Sequence, residues 1–435
     1  MSQNELLIRG GHVVRTDAVT REDVRVRDGQ IVEVGAGLEP GSSRVLDAEG
    51  CWVGPGFVDL HTHLREPGKE AAENIESGTN AAALGGYSAV VAMPNTEPAL
   101  DSVALVSYVL DAGSRSRVDV AVAGCITMGR AGEQLAPFAK LAALGVRLFT
   151  DDGTGVQDAG VMRRAMTYAA PLGIRLAQHC EDESLAAGGC MNEGAVSARL
   201  GLVGRHAVAE EVMVARDIEL VRLTGCPMHF LHLSTARSLE LVAAAQAEGL
   251  PVTAEIAPHH FTLDETFCSD FDPEFKVHPP LRSAHDVTAL RGALAAGLID
   301  AVATDHAPHT PESKDMAFDE APPGMLGLEH AASLTFDVLS ADPTTFFKVL
   351  SRGPARVAQL RASDARVRHQ AHGGEVSVGD DANLVIFDPG ATYVVDRHQL
   401  ASRARNTPYH GRELRGKARG TIAKGRLTQW DGELC

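Results

Sequence analysis

The chain has 435 residues, of which 44% are apolar and 22% charged, and a formal net charge of −17. That length suits one large domain plus a smaller one, and the composition excludes a disordered chain. The acidic balance argues against nucleic acid or an anionic membrane as partner, yet leaves room for an anionic substrate held by a few local cations.

The seven cysteines (Cys51, Cys125, Cys180, Cys190, Cys226, Cys268 and Cys435) are odd in number and form no Cys-x-x-Cys. They read as reduced thiols of a cytoplasmic protein. Residues 1–10 contain the acidic Glu5 and lack a long apolar core, so neither a signal peptide nor an anchor is expected there. No run reaches the ~18 apolar residues of a membrane span.

Residues 1–55 read as short strands, with an Asp28-Gly29 hairpin signal between alternating segments at 23–27 and 30–35. The C-terminal part, 366–435, repeats this texture at 379–388 and 421–426. The two ends are therefore expected to build one small β-sandwich.

The middle, 56–365, has another rhythm: a short apolar run ends in polar residues, and a helix-like stretch follows. The runs are 56–60, 88–93, 118–123, 146–149, 174–177, 228–231, 252–256 and 299–303. Ala-rich stretches such as 74–84, 136–144 and 239–247 lie between them. Short runs, most of them rich in Val or Ile, favour strands. Eight β-α units in a row predict an α/β protein built on a (β/α)₈ TIM barrel, whose active site sits at the C-terminal strand ends.

Those strand ends carry the chemistry. His61 and His63 share a face, because side chains alternate along a strand. Asp151 or Asp152, then His179, His232 and Asp305 follow at later ends. Any one of them reads as a hydrogen-bonded polar residue; together at one barrel mouth they read as a metal site. Imidazole and carboxylate without thiolate suit Zn²⁺ ahead of Mn²⁺, Co²⁺ or Fe²⁺. His259 and His260 are either support for the ligands or structural, and His306 and Cys180 are expected to point away.

With these residues in view the chain resembles the amidohydrolase superfamily and, within it, the class I dihydroorotases. The likeness spans essentially the whole length. It rests on Asp59-Leu60-His61-Thr62-His63-Leu64-Arg65-Glu66-Pro67-Gly68, Met93-Pro94-Asn95-Thr96, Asp151-Asp152-Gly153, His179-Cys180-Glu181-Asp182 and Thr304-Asp305-His306-Ala307-Pro308-His309. The resemblance implies that His61, His63 and Asp305 hold one zinc ion and His179 and His232 a second, so one or two ions per subunit. Many relatives bridge the metals with a carboxylated lysine on strand four; residues 145–152 contain none, and the class I pattern implies Asp152 as the bridge. Arg65, Asn95 and His309 match the family's carboxylate-binding positions. Pro323 and Gly324 match a loop, 321–327, whose backbone touches the substrate ring, and with residues 314–320 before it this loop would form a mobile lid. His278 stands where the family has an Asn that contacts the ring, and an imidazole cannot offer an amide's paired donor and acceptor.

The implied reaction interconverts N-carbamoyl-L-aspartate with (S)-dihydroorotate and water in pyrimidine synthesis, by a metal-activated water with Asp305 as general acid/base. The expected partners are that small-molecule substrate, further copies of the chain in a homo-oligomer and, as one arrangement, aspartate transcarbamoylase. Two other readings compete. One is an allantoinase, hydantoinase or dihydropyrimidinase, against which the missing lysine and the presence of Arg65 and Asn95 argue. The other is a catalytically silent partner of the transcarbamoylase, against which the filled ligand positions argue.

Overall fold

The computed structural model describes residues 5–362 and 370–435. Eight parallel strands cover Phe57–Thr62, Tyr87–Ala92, Asp119–Gly124, Leu148–Thr150, Arg175–Gln178, Met228–Phe230, Val252–Ile256 and Ala301–Val302. Each pairs with the next. They match the eight apolar runs to within two residues at either end.

Alternation sorts their side chains. Val90, Ala92, Val122, Leu176, Phe230, Ile256 and Val302 pack outward against the helices. Ala89, Val91, Ala123, Leu148, Ala177, Leu231, Ala301 and Ala303 form a separate cluster inside the barrel. The surrounding helices begin at side-chain caps: Asn74 before Ile75–Leu84, Asp158 before Ala159–Ala169, Thr235 before Ala236–Ala247 and Ser283 before Ala284–Ala295. Each cap oxygen accepts a backbone N–H that the helix cannot itself satisfy.

Closure joins the last strand to the first. Thr62 bridges His306, and the His63 N–H donates to the His306 carbonyl at 2.9 Å. Beneath this, the buried Asp59 carboxylate accepts from Thr304 N and Thr304 Oγ1, both at 2.7 Å, and from the Thr62 hydroxyl. Burial lifts the Asp59 carboxyl to about 6 against the pull of these three donors.

The β-sandwich expected from the termini takes the form of one continuous nine-stranded sheet. Its N-terminal and C-terminal parts meet where Leu384–Val394 runs antiparallel to Trp52–Pro55. The sheet folds back at its edge, where Ile31 N donates to Asp380 O at 2.9 Å and Gly379 N to Ile31 O at 2.8 Å. It thereby encloses its own core, which includes Leu6, Val24, Ile31, Leu384 and Ile422. The Asp28-Gly29 hairpin is present, with φ of 50° and 85°, as a two-residue turn matched to the strands' twist requires. The expected boundary at 365/366 lies outside the described residues, as do the first four of residues 1–10. All seven cysteines are free thiols. Among the described residues no helix is long and apolar enough to cross a membrane.

Replacing Asp59 by Ala strands three donors in the barrel wall. Chemical denaturation should show a loss of about 2–4 kcal/mol; a loss under about 0.5 kcal/mol would remove Asp59 from barrel closure.

Candidate metal centre and anion clamp

The inward faces of the strands continue into their polar ends. His179 lies two residues beyond the inward Ala177, so its side chain enters the mouth; Asp305 follows the last strand with a left-handed backbone, φ 46°, and meets His63 there. Asp152 lies at its centre. Asp152 Oδ1 is 3.3 Å from His61 Nε2, 3.6 Å from His179 Nδ1 and 3.5 Å from His232 Nε2. Asp152 Oδ2 is 3.6 Å from His63 Nε2. Asp305 Oδ1 is 3.2 Å from His63 Nε2 and 3.6 Å from His61 Nε2. All six side chains are buried. Five of the predicted ligands form two groups that share His61, with Asp152 and His232 in one and His63 and Asp305 in the other; His179 groups instead with Glu181 and His278, while its Nδ1 stands 3.1 Å from His232 Nε2.

These residues fit a metal. Ligand atoms on a tetrahedral ion with bonds of about 2.1 Å stand ~3.4 Å apart, and the separations above cluster there. His61 Nε2 and Asp152 Oδ1 are buried with no hydrogen-bond partner, a costly state unless a ligand completes them. Charge balance agrees. Burial alone would push the Asp152 and Asp305 carboxyls up; the surrounding imidazoles outweigh it and hold both well below the usual carboxylate range. Burial likewise opposes protonation of His61, but Asp152, Glu255 and Asp305 raise its pKa well above the ordinary value.

Second partners decide which nitrogen each histidine presents. His61 Nδ1 lies 2.9 Å from Glu255 Oε1, and His63 Nδ1 lies 2.8 Å from Asn95 Oδ1. Both oxygens are acceptors, so each ring carries a hydrogen on Nδ1, which leaves Nε2 as the atom turned to the centre. Glu255 is fully buried and also meets His229 Nε2 at 3.0 Å and the His232 N–H at 3.3 Å. Burial pushes its carboxyl up, but His229 and His61 bring it down to about 2. Sequence reasoning missed this residue. Its only signal was a lone carboxylate inside the apolar run Val252–Ile256.

The other strand ends divide as follows. Asp151 turns away and accepts from Ile126 N at 2.8 Å and Thr127 N at 3.0 Å. His306 also turns away, toward Glu73 at 3.3 Å, and Cys180 faces the Gln178 carbonyl. His260 Nε2 donates to Pro279 O at 2.9 Å, supporting the loop that carries His278. His259 is buried, and burial brings it down to about 4.

Arg65 sits at the rim in a left-handed conformation, φ 61°. Its Nε donates to Pro308 O at 3.1 Å, and Nη2 has His309 Nε2 at 3.5 Å. Among the described residues it makes no ion pair with a carboxylate. Removal from water lowers its pKa to about 10. A shielded guanidinium without a counter-ion is a receptor for an anion. Asn95 lies between His63 and Asp152, its Nδ2 3.5 Å from Asp152 Oδ2. His309 Nε2 donates to Pro323 O at 2.8 Å, and burial with the Arg65 and Lys314 charges keeps the ring neutral, at about 3. Its single N–H is therefore engaged, and it can serve a carboxylate only by turning from Pro323.

His278 closes the opposite wall. Its Nε2 is 2.8 Å from both Glu181 Oε1 and Arg205 Nη1, and 3.2 Å from His179 Nε2. Arg205 and Glu181 are ion-paired. Glu181 lay in a quoted motif without an assigned role, and Arg205 was not singled out. Burial and the neighbouring His179 pull the His278 ring down to about 4.

Comparison with known proteins places this geometry. A family model described as "Dihydro-orotase-like" matches residues 50–238. A dihydroorotase of Pelotomaculum thermopropionicum is 46% identical over 98% of this chain and 99% of its own. One of Mycobacterium tuberculosis is 44% identical over 95% and 96%. Among solved structures, L-hydantoinase (dihydropyrimidinase) from Arthrobacter aurescens superposes with a TM-score of 0.86 at 25% identity, over 99% of this chain and 97% of its own. Dihydropyrimidinase from Brevibacillus agri gives 0.85 at 22% over 99% and 96%, a likeness of fold.

Glu255→Gln should weaken retention of a divalent ion by roughly 10–100-fold while leaving the circular dichroism unchanged. Competition against a coloured chelator measures this; equal retention would separate Glu255 from ligand orientation.

Proposed function

The chain is a cyclic amide hydrolase of the dihydroorotase family, and we propose that it interconverts N-carbamoyl-L-aspartate and (S)-dihydroorotate at the mouth of its barrel. The observation that carries this reading is Arg65, which among the described residues makes no ion pair with a carboxylate, beside the four imidazoles and two carboxylates at the mouth. A cyclic amide bearing a carboxylate needs both: an anion receptor, and a hydrolytic centre next to it.

Zinc is the ion we assign to His61, His63, Asp152, His179, His232 and Asp305, because the donor set is imidazole and carboxylate alone. Such an ion supplies Lewis acidity that polarises a carbonyl and lowers the pKa of water to about 7. The protein's own groups do the rest. Arg65 and Asn95 orient the substrate carboxylate, and with it the ring's handedness. His309 joins them when it leaves Pro323. Asp305, kept ionised by the imidazoles around it, takes a proton from the attacking water and returns it to the leaving ring nitrogen. In the biosynthetic direction it acts in the reverse order. Pro323 and Gly324 wall the ring on one side and His278 on the other, with Arg205 and Glu181 fixing the angle of that imidazole.

The reading is tested by turnover of the zinc-loaded protein on dihydroorotate, hydantoin, dihydrouracil and allantoin. Dihydroorotate should be the preferred substrate; preference for a ring without a carboxylate would favour the hydantoinase reading. Asp305→Asn should lower kcat by roughly 10²–10⁴, and wild-type kcat would exclude Asp305 as the proton carrier. Arg65→Met should chiefly raise KM for carbamoyl aspartate; an unchanged KM would exclude the clamp.

A further inference from the structure

We propose that Asn406, contributed by the C-terminal segment rather than the barrel, is a positioning residue for the substrate pocket. It sets the Pro323-Gly324 wall against the end of strand eight. The inference rests on the pocket assigned above.

Asn406 is 2% exposed, and its amide is fully engaged. Oδ1 accepts the His309 N–H at 3.0 Å, while Nδ2 donates to Ala307 O at 3.0 Å and to Gly324 O at 3.1 Å. Its own carbonyl accepts from Leu326 N at 2.9 Å. One side chain thus holds both neighbours of Pro308 in the strand-eight end and the turn facing them. The residue type is dictated by this pattern. Two carbonyls need two donors and one N–H needs an acceptor, which an amide offers and a carboxylate does not.

The wall itself cannot stand unaided. Gly324 has φ 138°, where a side chain is strained, and a Cβ there would lie 2.7 Å from Ala307 Cβ and 2.9 Å from His309 Nε2. Its three successive carbonyls are each claimed by a different donor. Lys314 Nζ holds Pro322 O at 3.0 Å, His309 Nε2 holds Pro323 O at 2.8 Å, and Asn406 holds Gly324 O. If His309 turns to a carboxylate, the Pro323 link is lost. The Ala307 N–H to Met325 O bond at 2.9 Å still joins the following residue to the strand-eight end, but Asn406 is then the side chain that holds the wall's own Gly324 carbonyl, so it matters most when substrate is bound.

The test uses full-length zinc-loaded Asn406→Ala and Asn406→Asp, the second keeping the acceptor and losing both donors. Steady-state kinetics on dihydroorotate should show KM raised about tenfold or more with kcat within about threefold, and bound zinc unchanged. A purely structural role would lower folded yield and melting temperature without moving KM. An unchanged KM in both folded variants, or a loss confined to kcat, overturns the proposal. Deuterium exchange of the peptide containing 324–326 gives a readout independent of activity, and exchange should be about tenfold faster or more in both variants. Exchange equal to wild type overturns the proposal even if the wild type proves to have another substrate. Absence of wild-type dihydroorotase turnover would instead fail the function assigned above. Should Asn406→Ala not fold, Asn406→Asp carries the test.

Discussion

The contact on which the site depends is the one between Glu255 and His61. Four imidazoles and two carboxylates in one dry mouth could pair with each other in many ways, most of them useless for holding an ion. Glu255 removes that freedom for His61, the one histidine common to both ligand groups. It does so from a fully buried position, where the charged acceptor interacts strongly. The same carboxylate steadies the backbone of His232, so one buried charge aligns histidines from the first and sixth strands. Its other partner, His229, keeps that charge from being uncompensated.

Barrel closure serves the same end. Asp59 and the Thr304 and Thr62 groups around it tie strand one to strand eight directly below His61, His63 and Asp305. Ligands from the two ends of a long chain segment must arrive at one point to within a fraction of an ångström. A seam held only by two short stretches of backbone would leave that distance soft. Placing a polar staple there, and small alanines in the barrel interior, trades hydrophobic burial for definition of the seam.

The barrel and most of the cluster were legible in the sequence for a physical reason. A buried parallel strand must be apolar along its length and can be polar only at its end, so His61, His63, Asp152, His179, His232 and Asp305 stand out against their own runs. The choice between Asp151 and Asp152 was not settled by alternation; it rested on the family pattern, and the structure shows Asp151 holding the loop after strand three instead. Glu255 was illegible because it lies within a run and meets His61 from 194 residues away. Asn406 and Arg205 come from segments outside the eight-fold rhythm, where no periodicity marks a residue as facing the pocket. Nothing local in the stretch before Gly324 shows that Lys314 is buried against three backbone carbonyls.

The fourth strand ends in Thr150-Asp151-Asp152 and carries no lysine. Where a bridging group is a carboxylated lysine, the site must capture a molecule of dissolved carbon dioxide and keep a labile carbamate intact. An aspartate at the centre carries the negative charge from the moment of translation. Under the assignment proposed above, a centre built on Asp152 would call for metal but not for bicarbonate.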